Sequence, residues 1–311
     1  MRKKIWKSAV AHGLVQHYKR EPPPSSLIER MTSPSKRNPT PPELAANLAR
    51  RLLQSFATTR GLHQAPNLEL ICSSIGLAVV KQPLVVDALL QPASNGYIAI
   101  LNSTNSLAKQ RFSLAHEIGH LELFKRTGLH QAFGHIDIKQ RTDVDSREVE
   151  ELCDYFASEL LMPTEFWQDL IDDEGLSLTT LQKLRAISDV SFTRAARRLT
   201  DIANVECAII LWEAIREDSA IVGFNQLSVW QKSNARTETL NHTLYRTDEL
   251  LKAGSPFHAM DQQALTTGRI SLSLNRRRER FLAQSTPLDK DHAITILLPE
   301  SSGHVMFPAG N

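Results

Sequence analysis

The residues best equipped for chemistry stand together in one run. His116-Glu117-Ile118-Gly119-His120 reads H-E-x-x-H. On an α-helix, residues four apart lie about 6 Å from each other on nearly one face. His116 and His120 can then offer ring nitrogens to a single metal ion, Zn2+ or alternatively Mn2+. Glu117 sits about 100° round the helix, beside that ion, where it can take a proton from an attacking water. Phe112, Gly119, Leu123 and Phe124 share or border the histidine face, so that face should point inward. Gly119 lowers helix propensity but leaves room beside the metal. The competing reading is a pair of structural histidines on a core helix.

A catalytic zinc site needs a third protein ligand and an open position. The next informative stretch supplies a candidate. Asp145 with Glu148 reads as a capping-box start, and Pro163 stops the helix after Met162. Its core face is Val149, Leu152, Cys153, Phe156 and Leu160. Glu150 falls at the edge of that face, in a row with Asp154, while Glu148, Glu151 and Glu159 point elsewhere on the helical wheel. Glu150 is therefore the carboxylate expected inside. An inward carboxylate needs a partner, because burying it alone costs several kcal/mol. A metal on two neutral histidines would be one; an ion pair with Arg111 or Arg147 would be another. Asp154 can accept a hydrogen bond from a ligating histidine and so orient it.

The run R-F-S-L-A-H-E-I-G-H (Arg111 to His120), followed by E-E-L-C-D-Y-F-A-S-E-L-L-M-P (Glu150 to Pro163), resembles the ImmA/IrrE family of metallopeptidases. The resemblance covers about residues 42 to 165. It implies a zincin-like α+β domain with a gluzincin-like zinc set of His116, His120 and Glu150. It makes Glu117 the catalytic base and puts Asp154 in the family's Asn/Asp position. It also implies a substrate: family members cut an XRE-type helix-turn-helix repressor and so release the genes it blocks. In IrrE-like members those genes answer radiation or desiccation damage; in ImmA-like members they serve a mobile element.

The chain has 311 residues, 41% hydrophobic and 23% charged, as in a soluble globular protein of two or three domains. Its net charge is +2. Residues 1 to 40 hold nine Lys/Arg and two Asp/Glu, so the arm carries +7 and leaves −5 for the rest. That balance argues against a body built to grip nucleic acid. Three dispersed cysteines (Cys72, Cys153, Cys207) imply no disulfide framework and fit a cytoplasmic protein. No apolar run is long enough to cross a bilayer, and the start has no clean secretion signal.

Around the motif helix the pattern sets a scaffold. Residues 1 to 42, with seven of the fifteen prolines between Pro22 and Pro42, read as a flexible extension. Residues 43 to 165 form the peptidase region. Pro42 to Thr58 and Leu68 to Ile75 have helical spacing, and Gly76 to Lys81 and Gly96 to Leu101 read as strands. Residues 126 to 145 read as a loop. Residues 166 to 204 form a helical region: Leu178 to Ile187 is amphipathic, Asp189-Val190-Ser191 turns, and Phe192 to Leu199 is a second helix. This pair resembles a helix-turn-helix, with Arg194, Arg197 and Arg198 as candidate phosphate contacts; a packing domain with a solvated basic face is the preferred alternative.

Residues 205 to 300 show apolar β-like runs (Cys207 to Glu213, Ala220 to Phe224, Ile270 to Leu274, Ala293 to Leu298) and a helix-like stretch, Leu240 to Leu251. The layout resembles the GAF-like C-terminal domain of IrrE, which implies a sensory or regulatory part. The basic run Asn275 to Arg280 reads as a solvated loop, and residues 301 to 311 as a loose tail.

The expected function is zinc-dependent cleavage of a protein substrate, an XRE-type repressor, gated by some signal. The rival is a DNA-binding regulator with a structural or vestigial zinc site. Glu117 favours the enzyme, since a purely structural zinc site takes four protein ligands and has no use for a base. A second stabiliser of the oxyanion is expected, with Tyr97, Tyr155, His130 and His135 as candidates.

Overall fold

The computed structural model describes residues 40–56, 65–127, 146–232, 244–245, 251–274 and 277–300. The expected loop from 126, the Asp145 cap, His130, His135, the extension before residue 40 and the tail from 301 lie largely or wholly outside these residues.

The chain is mixed α+β. Helix α1 (Pro41–Phe56) and α2 (Leu68–Ile75) lead into β1 (Leu77–Gln82), β2 (Ala88–Ala93) and β3 (Gly96–Asn102). Asn67 caps α2 by accepting from the Leu70 amide, and Gly76 ends it at φ 72°. The first sheet has the order β1-β3-β2, with β1 parallel and β2 antiparallel to β3. Strand β2 has no counterpart in the sequence reading. Its Pro92 cannot donate to a ladder, which confines such a strand to a sheet edge, where β2 lies.

Behind this sheet runs α3 (Leu107–Thr127), which carries the motif. Ser106 caps it by accepting from the Lys109 amide at 3.3 Å. The helix is buried nearly all round: Phe112, Leu114, Ala115, Ile118, Leu121 and Leu123 are each at most 7% exposed. The histidines are therefore held by a helix that cannot turn to solvent. Helix α4 (Ser146–Leu161) packs along it, and its face Val149, Leu152, Cys153, Phe156 and Leu160 is buried as the wheel predicted.

Gly119 has a role the sequence did not reveal. A Cβ there would stand 3.1 Å from Phe156 Cδ1 and 3.4 Å from the Cys153 Cα. The missing side chain thus makes room for the close approach of α4.

Glu159 is also not where the wheel put it. It is 1% exposed and pairs with Arg198, while Arg50 Nε stands 3.0 Å from its Oε1 and the Thr164 hydroxyl donates to its Oε2 at 2.6 Å. The partners arrive from other helices, which a wheel drawn on one helix cannot contain.

Helices α5 (Thr164–Glu174), α6 (Leu178–Ser188) and α7 (Phe192–Ile202) follow. Ser177 and Ser191 cap α6 and α7, and Asp189 turns between them at φ 52°. Strands β4 (Ala208–Glu217), β5 (Ala220–Gln231), β6 (Leu244–Tyr245), β7 (Thr266–Leu274), β8 (Arg277–Pro287) and β9 (His292–Pro299) form an antiparallel sheet ordered β6-β5-β4-β9-β8-β7. Helix α8 (Pro256–Gln262) packs against one face.

Two expectations are corrected here. Leu244–Tyr245 is a strand paired with β5 rather than part of a helix. Arg277 to Arg280 begins β8 rather than lying in a loop, because each of these residues has a ladder partner on β7.

The larger sheet is two-faced. On β4, Ile209 joins the core formed by the helices, while Ile210 and Trp212 face a second core with Phe224, Phe257 and Phe281. Ile294, Ile296 and Leu298 of β9 join the helical core as well. No helix among the described residues is long and apolar enough to cross a membrane.

Candidate active site

The site forms where α3 and α4 run side by side. His116 Nε2 lies 3.1 Å from His120 Nε2 and 3.1 Å from Glu150 Oε2, and His120 Nε2 lies 3.5 Å from Glu150 Oε1. Each of these groups brings a lone pair to one point, and a single proton cannot satisfy all three. A cation can. A tetrahedral ion with ligand bonds of roughly 2.0–2.1 Å sets its donors about 3.3 Å apart, which is close to these separations. The residues present thus fit a zinc-like ion.

His116 is held from behind. Its Nδ1 donates to Asp154 Oδ1 at 3.0 Å, which leaves Nε2 as the donor atom toward the site. Burial alone would lower the His116 pKa, but the hydrogen bonds to Asp154 and Glu150 outweigh it and push it up to about 9. The groups that make His116 hold a proton strongly would make it hold a cation strongly. Glu150 is held well below the usual carboxylate range by His116 first and then by His120.

Glu117 is 7% exposed, and burial raises its pKa against the opposing pull of His120 and His116. A buried carboxyl with a raised pKa beside a metal-fitting cluster is suited to accept a proton there.

Asp154 is shared. Its Oδ2 accepts from Arg194 Nη1 at 3.0 Å, and the same guanidinium lies 3.6 Å from the centroid of the Phe112 ring. Burial would raise the Asp154 pKa, but His116 and Arg194 bring it below the ordinary value. Nearby, Arg111 donates to the Pro66 carbonyl at 2.6 Å and stands 3.9 Å from Asp189, tying α3 to the approach of α2 and to the α6–α7 turn.

Residues 72–200 match the family model of the IrrE N-terminal-like domain. That stretch, which holds His116, Glu117, His120, Glu150 and Asp154, is thus similar to the IrrE N-terminal-like domain. The chain is 30% identical over 174 residues to the radiation response metalloprotease IrrE of Deinococcus deserti, covering 55% of this chain and 58% of that protein. The chain therefore spans under two thirds of that relative's length. Among solved structures, a Mycobacterium tuberculosis transcriptional regulator superimposes with a TM-score of 0.48 at 16% identity, over 85% of this chain and 81% of that one.

The structure brings together His116, Glu117, His120, Glu150 and Asp154. Glu150 departs from the expected burial: its side chain is 57% exposed, reaching the histidines from the edge of its helix. Of the two arginines named as alternative partners, Arg147 stands 3.3 Å from Glu151 and Arg111 stands 3.9 Å from Asp189. Tyr97 lies partly buried on β3, and Tyr155 is 39% exposed on α4.

The candidate phosphate contacts separate. Arg197 is exposed. Arg198 is 7% exposed, paired with Glu159 and donating to the Met162 carbonyl at 2.9 Å, so a phosphate backbone does not reach it. Arg194 is already engaged by Asp154 and Phe112.

Sequence reasoning missed Cys153 as a possible donor. Its sulfur, His116 and His120 place their ligand atoms within 4.8 Å of one another. It also missed the inward turn of Arg194. Cys153 sits three residues after Glu150, and that spacing was the available signal.

Proposed function

We propose that this chain is a metal-dependent endopeptidase of the ImmA/IrrE type that cleaves an XRE-type helix-turn-helix repressor in a cytoplasmic stress response. The observation that carries the reading is the convergence of His116 Nε2, His120 Nε2 and the Glu150 carboxylate within 3.1–3.5 Å, with buried Glu117 beside them. The match of residues 72–200 to the IrrE N-terminal-like domain and the name of the Deinococcus deserti relative support a peptidase acting in stress.

His116, His120 and Glu150 would hold the metal, with zinc favoured over manganese by the two imidazoles and one carboxylate. When bound, that ion supplies Lewis acidity, lowering the pKa of water toward 7 and polarising the scissile carbonyl. Glu117 takes the proton as water attacks and returns it to the leaving amine. Asp154 keeps His116 in the tautomer whose Nε2 faces the site. We favour Glu150 over Cys153 as third ligand because its oxygens already stand at ligand spacing.

In this reading residues 43–165 are the peptidase, 166–204 a helix-turn-helix-like element and 205–300 a GAF-like regulatory part. Incubating the zinc-loaded protein with purified XRE-type repressors should give one discrete cut, absent with Glu117→Gln. Failure to cut any repressor, with zinc bound, would refute the assigned substrate.

A further inference from the structure

We infer that Arg194 is a positioning residue for the metal centre, fixing Asp154 so that His116 presents Nε2 to the ion. This rests on the metal reading above. The geometry is a chain across three helices: His116 Nδ1 to Asp154 Oδ1 at 3.0 Å, and Asp154 Oδ2 to Arg194 Nη1 at 3.0 Å.

A carboxylate left to itself turns about its last torsion, which is broad and two-fold, and offers either oxygen. With Oδ2 taken by Arg194, only Oδ1 serves His116. Arg194 is in turn fixed twice more. Its guanidinium lies 3.6 Å from the Phe112 centroid, one turn ahead of His116 on α3. Its backbone amide donates to Ser191 Oγ at 3.3 Å in the cap of α7. Arg194 also sets a positive charge beside a site that holds three carboxylates (Glu117, Glu150 and Asp154). The α6–α7 pair is thereby part of the metal site's frame, not an appendage to it. An exposed arginine used for nucleic acid would not be spent on an internal carboxylate and a core aromatic ring.

The test is zinc affinity, measured by competition with a fluorescent chelator on the full chain, alongside thermal unfolding of each metal-free protein. The set is wild type, His116→Ala, Asp154→Asn, Arg194→Met, Arg194→Lys and the Asp154→Asn/Arg194→Met double variant. Methionine keeps the apolar stem of Arg194 and removes the charge. Loss of an outer partner of a ligating histidine costs about 10–100-fold in metal affinity. Arg194→Met should lose about tenfold, at the lower end, because it acts through Asp154, and Arg194→Lys should recover most of that.

The double variant should bind no more weakly than Asp154→Asn alone, since both changes cut one chain. Losses that multiply in the double variant, or an Arg194→Met affinity equal to wild type while His116→Ala has lost zinc, would overturn the inference and leave the metal reading standing. Wild-type affinity in His116→Ala would instead sink the metal reading itself. If Arg194→Met does not fold, Arg194→Gln carries the same comparisons.

Discussion

Gly119→Ala sets two magnitudes against each other. Alanine is favoured over glycine in a helix interior by about 0.8–1.0 kcal/mol. Its Cβ, however, would stand 3.1 Å from Phe156 Cδ1, 3.3 Å from Cγ and 3.4 Å from the Cys153 Cα. Relaxed carbon contacts sit at roughly 3.5–4.0 Å, so α4 must retreat by several tenths of an ångström. Phe156 and Cys153 are both 0% exposed, so neither can yield simply by turning into solvent. Overpacking of this kind costs about 1–3 kcal/mol, so the variant should be destabilised by about 1 kcal/mol net. The retreat also carries Glu150 and Asp154 away from His116 and His120, and zinc affinity should fall about tenfold. Urea unfolding of the metal-free protein and chelator competition measure the two effects. A gain of about 1 kcal/mol in stability with unchanged zinc affinity would show that helix propensity wins and that Gly119 does not set the α3–α4 distance.

Three other outcomes follow from the same geometry. Arg198→Met leaves Glu159 buried with Arg50 and Thr164 as its remaining partners and should cost roughly 3 kcal/mol in urea unfolding, the low end for a broken buried pair. Burial would raise the Glu159 pKa, but Arg198 and Thr164 together outweigh it and bring it below the ordinary value. Its stabilising contribution is therefore present above its unfolded pKa and lost as pH falls through the folded one. Glu159→Gln should flatten that part of the acid limb of a stability–pH curve. Free zinc at about 100 times the dissociation constant should stabilise the wild type by about 2.7 kcal/mol in calorimetry and leave His116→Ala unmoved.

What the sequence disclosed was local. His116 and His120 share a face because four residues make about one turn, and Glu150 and Asp154 share a row for the same reason. Helices α2 and α6 were legible through their periodicity. Strand β2 was hidden by Pro92, and the start of β8 by a basic run that reads as loop. The deeper misses all involve partners brought from afar. Glu159 is buried because Arg198, 39 residues on, reaches it, and Arg194 turns inward because Asp154, 40 residues earlier, waits there. Cys153 was read as one more apolar residue on a core stripe, and only the packing of α4 on α3 sets its sulfur near the histidines.

The most direct test is X-ray absorption at the zinc edge on the metal-loaded protein, with Glu150→Gln and Cys153→Ser beside it. The proposed donor set predicts nitrogen and oxygen scatterers at roughly 2.0–2.1 Å with imidazole signatures, unchanged in Cys153→Ser and altered in Glu150→Gln. A sulfur scatterer at roughly 2.3 Å that disappears in Cys153→Ser, or a spectrum without imidazole, would contradict it.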